Sequence, residues 1–355
     1  MNRSSKFYNM DNSHLINKNR TLLDALKQIN TLYPGPLVLF VIDDENRMVG
    51  TLTDGDSRRA LIAGASVNDK VEYAMHKNFN CLHKGVDDDV AHIRLQKDLK
   101  MKLVPVLDNG DHIIEIINLE KYRTKLPVDA VLMAGGKGER LRPLTDKTPK
   151  PLLEMEGKPI IDYIVEHIIS FGVQNISVTV NYLKEQIIQH FAEPKKGLQV
   201  KCFSEPKFLG TIGSICFVDN FENDTLLLMN ADAITDLNLE DFYLQFKEHN
   251  ADMSIAAVPY TISVPYGILD IDGRNVKGVL EKPTYNYYAN TGIYLIKREL
   301  IKFIPVGDFF NATDFMESLM SKGYKVVRFL HNGTWIDIGN PQEYKRAIEL
   351  VRHMR

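Results

Sequence analysis

The run Gly135-Gly136-Lys137-Gly138-Glu139-Arg140-Leu141-Arg142-Pro143-Leu144-Thr145 gathers three glycines and three cations within eleven residues. Glycines admit close backbone approach and positive φ, so successive N–H groups can converge on an oxyanion. Ten residues beyond Arg140, the segment Lys147-Thr148-Pro149-Lys150-Pro151 supplies a further cation, Lys150. This is phosphate-holding chemistry, although the spacing fits neither a Walker loop nor a dinucleotide fingerprint. Asp232 ends the apolar run Leu226-Leu227-Leu228-Met229-Asn230-Ala231, and Asp337 lies within Trp335-Ile336-Asp337-Ile338-Gly339-Asn340-Pro341. In an α/β sheet a carboxylate at the end of a strand can face a bound ligand. A lone Asp after a strand can equally cap a helix.

These residues need a scaffold. Val128–Ala134 reads as a strand running straight into the glycines. After it, short β-rich runs alternate with helical patterns: PIIDYIVEHIISF, NISVTVN, LKEQIIQHF, LQVKCF, TLLLMN, LEDFYLQFKEH and DMSIAAV. That alternation predicts an α/β layer on a mostly parallel sheet, whose ligands belong at the carboxyl ends of the strands. A helix is predicted from Ile212 to Asn220. From about Tyr266 the pattern changes to short strands with Gly turns, which predicts antiparallel hairpins. Upstream, LVLFVIDDENRMVGTLTDGD from Leu37 and LVPVLDNGDHIIEIINLEK from Leu103 read as a repeat with an offset of 65. Leu22, Ala25, Leu26 and Ile29 carry the helical spacing of an amphipathic stretch before the first copy. A basic, Pro-ended segment near residue 125 reads as a linker, so the expected domains are 1–122 and 128–355, joined by 123–127.

Composition sets wider bounds. The chain has 355 residues, 44% hydrophobic and 25% charged, with a net charge of −3. The near-balance argues against a general nucleic-acid or anionic-membrane binder. The three cysteines (Cys81, Cys202, Cys216) are too scattered for a disulfide framework or zinc site. No apolar segment approaches the roughly 20 residues a membrane span needs. The first twenty residues show no apolar signal core, so a cytoplasmic location is expected.

The glycine-rich run resembles the signature of sugar-1-phosphate nucleotidyltransferases, G-G-x-G-x-R-L-x-P-L-T followed by Pro-Lys-Pro. Further motifs arrive in that family's order over about residues 128 to 350. The resemblance implies a Rossmann-like α/β/α (GT-A-like) domain with a mixed, mostly parallel sheet. It implies that Leu132, Ala134, Gly135, Gly136 and Gly138 hold the nucleotide, and that Arg140 and Lys150 offset phosphate charge. Glu205-Pro206-Lys207-Phe208-Leu209-Gly210-Thr211 is similar to the family's base-recognition loop, with Gly210 and Thr211 against a base edge. Glu205 accepts only, which tilts the reading towards guanine with its adjacent N1–H and N2–H₂ donors; it also leads a predicted helix. Asp232 and Asp337 match the family's Mg²⁺ ligands, with Ala231 where a Gly is usual. By the same resemblance Gly267, Glu281, Lys282, Asn290 and Thr291 line the sugar-phosphate pocket, and Lys282 pairs the phosphate.

The upstream repeat resembles a tandem CBS pair, which implies an adenosine nucleotide contacted by Thr53 and Asp56, and a homo-oligomer. The same residues could instead cap the following helix. The second copy departs, with Glu115, Asn118 and Lys121 in place of Gly50, Thr53 and Asp56. The domain combination resembles bacterial guanylyltransferases of the legionaminic acid pathway, which implies GDP-glucosamine made from GTP and glucosamine 1-phosphate. The alternatives are mannose 1-phosphate with GTP, another nucleotide and sugar 1-phosphate, and a non-catalytic nucleotide sensor.

Overall fold

A computed structural model describes residues 12–85, 90–120, 122 and 125–353. The chain divides into two compact units, Met1–Arg123 and Thr124–Arg355. Among the described residues no helix is long and apolar enough to cross a membrane.

The first unit is built twice over. β1 (Leu15–Asn17), α1 (Leu22–Thr31), β2 (Val38–Ile42), β3 (Met48–Thr53) and α2 (Asp54–Ile62) make one half. β4 (Leu82–His83), α3 (Val90–Asp98), β5 (Leu103–Leu107) and β6 (Ile113–Asn118) make the other. Each half is a three-stranded sheet, one parallel pair followed by a hairpin. The two hairpins match at the predicted offset of 65: Ile42 opposes Met48 after a bulge, and Leu107 opposes Ile113 after another. Their turns match too. Asp43 accepts from the N–H groups of Glu45 and Arg47, as Asp108 does from those of Gly110 and His112. α1 starts at a capping box of Thr21 and Asp24 and buries Leu22, Ala25 and Ile29, as its spacing predicts. Phe40 and Met48 share one core with Leu103, Leu107 and Ile113, so the halves form one body.

The second unit continues with β7 (Asp129–Ala134), β8 (Glu154–Met155), β9 (Lys158–Pro159), α4 (Ile160–Ser170) and β10 (Asn175–Val180). α5 (Lys184–His190), β11 (Lys201–Ser204), β12 (Thr225–Asn230), β13 (Ala233–Thr235) and α6 (Leu239–Glu248) follow. Then come β14 (Met253–Ser263), β15 (Ile268–Asp272), β16 (Asn275–Leu280), β17 (Thr284–Lys297), α7 (Ala312–Ser321), β18 (Val326–Leu330), β19 (Trp335–Asp337) and α8 (Pro341–His353). The main sheet runs β11-β10-β7-β12-β17-β14-β18. Only β17 is reversed among its strands, so the sheet is mixed and mostly parallel. β7 is central and enters the sheet on a buried charge: Asp129, 1% exposed, accepts from the backbone of Glu222 and Asn223 and from the side chains of Asn175 and Asn223.

Three expectations change. The predicted linker ends earlier, because Leu126 is buried and its N–H donates to the Phe171 carbonyl. The predicted helix from Ile212 to Asn220 is a short 3₁₀ turn, Gly213–Phe217. The N–H groups of Ile212 and Gly213 donate to the Phe310 carbonyl, which ties that turn to another segment. The hairpins after Tyr266 reduce to one, β15 with β16, carried by long partners β14 and β17 that extend beyond the sheet.

Candidate active site

Four parallel strands, β11, β10, β7 and β12, deliver their carboxyl ends to one edge of the sheet, where an open α/β sheet places its ligands. A cleft of about 500 Å³ lies there, lined by Gly136, Lys137, Arg140, Lys150, Phe208 and Asp232 among others. The glycine-rich loop leaves β7 into it. Gly138 takes φ of 63°, and a Cβ there would meet Thr145 and Lys150 at 3.0 and 3.1 Å. The Thr145 hydroxyl donates to the Gly138 carbonyl at 2.9 Å, and the Tyr182 hydroxyl, beyond β10, donates to the Thr145 carbonyl at 2.9 Å. Gly136 faces open space. The loop is therefore held from behind and bare in front.

The cations divide. Lys137 and Arg140 are exposed at the cleft, while Lys150 is buried, 8% exposed. Arg142 points into an ion pair with Asp146 instead. The Lys150 ammonium lies 2.5 Å from Asp232 Oδ2 and 3.9 Å from Asp337 Oδ1. The two carboxylates meet because a short antiparallel ladder joins β13 to β19 and sets Ala233 opposite Asp337. The Ile338 N–H donates to the Asp232 carbonyl at 3.1 Å and closes that end. At the other end, the Thr334 N–H donates to Asp236 Oδ1 at 2.7 Å, and His331 Nε2 lies 3.1 Å from the same oxygen.

The resemblance implies a Mg²⁺ ion between these acids, and the donor set fits one. Asp232 Oδ1 is buried with no hydrogen-bond partner. Burial and then the Asp232 charge push the Asp337 carboxyl above its ordinary range, against Lys150 and Arg140. An added cation would relieve both conditions. Among the described residues no cluster of three or more His, Cys, Asp or Glu side chains is poised for a metal. Two carboxylates leave the remaining positions to phosphate oxygens and water.

Other predicted residues fall elsewhere. Ala134 lines the cleft, whereas Leu132 is fully buried in β7. Glu205 is 4% exposed and does not line the cleft. Its Oε2 accepts the Leu209 N–H at 3.0 Å, and its other oxygen packs so closely on Gly135 that a Cβ there would force the carboxylate to shift. Burial pushes its carboxyl above the ordinary range, and the Leu209 N–H opposes this. Thr211 accepts from the Ala312 N–H at 2.8 Å. Gly267, Glu281, Lys282 and Asn290 are exposed on the β14–β17 ribbon and hairpin, outside the cleft lining. Thr291 is buried, with its hydroxyl donating to the Ala256 carbonyl.

In the first unit, Thr53 and Asp56 form the capping box of α2, with their side chains 2.6 Å apart. Thr53 also lines a cavity of about 390 Å³ with Phe40, Thr51 and Lys102. Thr53 thus both caps the helix and borders the cavity, whereas Asp56 caps the helix and does not line that cavity. Lys121, its counterpart in the second copy, lies outside the described residues. The sequence reading assigned no role to Phe208 or His331. Phe208 adjoins the apolar Leu209, so nothing in the local sequence separates it from a core residue, and nothing around His331 marks it.

Residues 129–353 match the Nucleotidyl transferase family model. The mannose-1-phosphate guanylyltransferase of Mycobacterium tuberculosis is 30% identical over 235 residues, 63% of this chain and 65% of that protein. A putative mannose-1-phosphate guanyltransferase of Sulfolobus acidocaldarius is 27% identical over 229 residues, 63% of each chain. The UTP–glucose-1-phosphate uridylyltransferase of Synechocystis is 29% identical over 243 residues, 62% of this chain and 63% of that one. The chain thus spans less than two-thirds of the length of these relatives. Among solved structures, HddC from Yersinia pseudotuberculosis is 27% identical with a TM-score of 0.50, covering 63% of this chain and 99% of that one. With its central strand, glycine-rich loop and paired carboxylates all inside the matched region, the chain belongs to the nucleotidyl transferase family.

Proposed function

We propose that the protein is a sugar-1-phosphate nucleotidyltransferase. The observation that carries this reading is the convergence of the bare glycine loop, Arg140, Lys150 and Asp232 in one cleft, with Asp337 3.9 Å from the Lys150 ammonium. A phosphate oxygen of the sugar 1-phosphate attacks the nucleotide α-phosphorus. The new P–O bond forms as the bond to pyrophosphate breaks, and no protein group becomes covalently bonded. The loop N–H groups and Lys137 orient the triphosphate, Arg140 offsets the charge of the departing pyrophosphate, and Lys150 offsets charge near the α-phosphate. Each such preorganised charge contributes on the order of 3 kcal/mol to lowering the barrier. Asp232 and Asp337 would hold Mg²⁺, which supplies charge neutralisation to the phosphate oxygens. Lys282, Glu281, Asn290 and the Gly267 backbone serve the sugar phosphate from the ribbon.

The finer reading is GTP with glucosamine 1-phosphate, giving GDP-glucosamine for a legionaminic-acid-type sugar. The domain combination supports it; two relatives named as mannose-1-phosphate guanylyltransferases support GTP but equally support mannose 1-phosphate as the alternative sugar. A third, named as a uridylyltransferase, supports the UTP alternative. The first unit is read as a CBS pair that takes an adenosine nucleotide, in a homo-oligomeric cytoplasmic enzyme. A panel of nucleoside triphosphates against sugar 1-phosphates with Mg²⁺, monitored by pyrophosphate release, tests the reading. Release with GTP and glucosamine 1-phosphate is expected; mannose 1-phosphate or UTP as the better substrate would overturn the finer statement, and no release with any pair the coarser one.

A further inference from the structure

The cleft contains a side chain that the phosphate chemistry does not use. Phe208 is the one aromatic among the described residues lining it. It remains 46% exposed, and its neighbour Phe309 is 57% exposed. Their ring centroids lie 5.9 Å apart with planes inclined at 65°, the edge-to-face arrangement that aromatic pairs favour.

Both rings stand on backbone that is fixed. The Phe310 N–H donates to the Leu209 carbonyl at 2.9 Å, and the Ile212 and Gly213 N–H groups donate to the Phe310 carbonyl at 3.2 Å. Gly210 takes φ of 80°, and a Cβ there would stand 2.6 Å from the Phe310 oxygen, so the two segments touch closely. Leu209, fully buried, anchors the position beside Phe208. A ring presented on such a support has little left to order when a flat ligand ring lands on it. The carboxylate nearest in sequence, Glu205, is turned to the Leu209 N–H and to Gly135 and contributes nothing to the cleft lining.

We propose that Phe208, braced edge-to-face by Phe309, is the ring on which the nucleobase stacks, and that it favours purine nucleotides. A bicyclic purine covers more of the phenyl face than a pyrimidine does, so base preference rests on ring area rather than on a charged edge reader. This inference rests on the nucleotide reading of the cleft.

Calorimetric titration of the full chain with GTP and with UTP, in Mg²⁺ and without sugar 1-phosphate, tests it. Phe208→Ala is expected to weaken GTP about tenfold, or about 1.4 kcal/mol, and UTP by no more than about threefold, because stacking scales with the overlapped ring. Phe208→Trp, which restores a flat ring, is expected to keep GTP within about twofold of wild type. Its loss as severe as that of Phe208→Ala would overturn the proposal, as would equal weakening of GTP and UTP. Wild-type binding of GTP that Phe208→Ala leaves unchanged would overturn the stacking role alone. Wild type that binds neither nucleotide would overturn the nucleotide reading along with it.

Discussion

The two oxygens of Asp232 stand in different surroundings. One oxygen pairs with Lys150 while the other is buried without a partner. Removing its charge should reduce pyrophosphate release by Asp232→Asn about a hundredfold or more, the usual cost of one preorganised electrostatic contact. Turnover near wild type would remove Asp232 from the chemistry. Glu205 makes a different prediction, about stability. Burial holds its carboxyl above the ordinary range, so folding disfavours the charged form relative to the unfolded chain. The cost of ionising it is absent at low pH and grows as pH rises above the unfolded value of about 4.3. Glu205→Gln keeps an acceptor for Leu209 without the charge. It should melt at or above the wild-type temperature at pH 7 and lose that advantage at pH 4; the opposite trend would contradict the assigned cause. Both residues were visible in the sequence as carboxylates in motifs. That one faces the cleft and the other lies behind a glycine was not, because side-chain direction depends on what packs across the loop.

The β13–β19 ladder is the element that turns two distant carboxylates into a pair, across 105 positions of chain. Its outer end is held by His331, Asp236 and Thr334 rather than by further strand. If that clamp sets the carboxylate spacing, His331→Ala should raise the Mg²⁺ concentration for half-maximal turnover severalfold, while His331→Gln, which retains a donor, should restore it. An unchanged Mg²⁺ dependence would make the clamp irrelevant to the site. In the first unit, α2 begins on the Thr53–Asp56 capping box. Thr53→Ala should cost that unit about 1 kcal/mol of stability, read as an earlier unfolding midpoint in denaturant. No change would show that the box does not hold the helix. Helices with clean apolar spacing, such as α1, were legible from sequence. The 3₁₀ turn at Gly213–Phe217 was not, since its N–H donors answer to Phe310, almost a hundred residues away.

At the scale of the molecule, each unit has its own buried cluster, one around Leu39, Val41 and Leu52 and another around Leu226, Leu228 and Phe315. Two cores predict two separable unfolding transitions in calorimetry. GTP with Mg²⁺ should shift the transition of the larger unit, and AMP or ATP that of the smaller, each by about 2.7 kcal/mol at a hundredfold excess over Kd. Absence of any shift with AMP or ATP would leave the first unit without the adenosine nucleotide proposed for it. The sequence by itself determined the hairpin repeat, the central strand and its glycine loop. These are written in local periodicity and composition, which need no distant partner. Only the tertiary structure decided which side chains share the cleft: Lys150 between two acids, Glu205 withdrawn, Arg142 diverted to Asp146, Phe208 on the rim. Those outcomes depend on contacts between segments remote in the chain, where burial and charge pairing, rather than neighbouring residues, set the direction of each side chain.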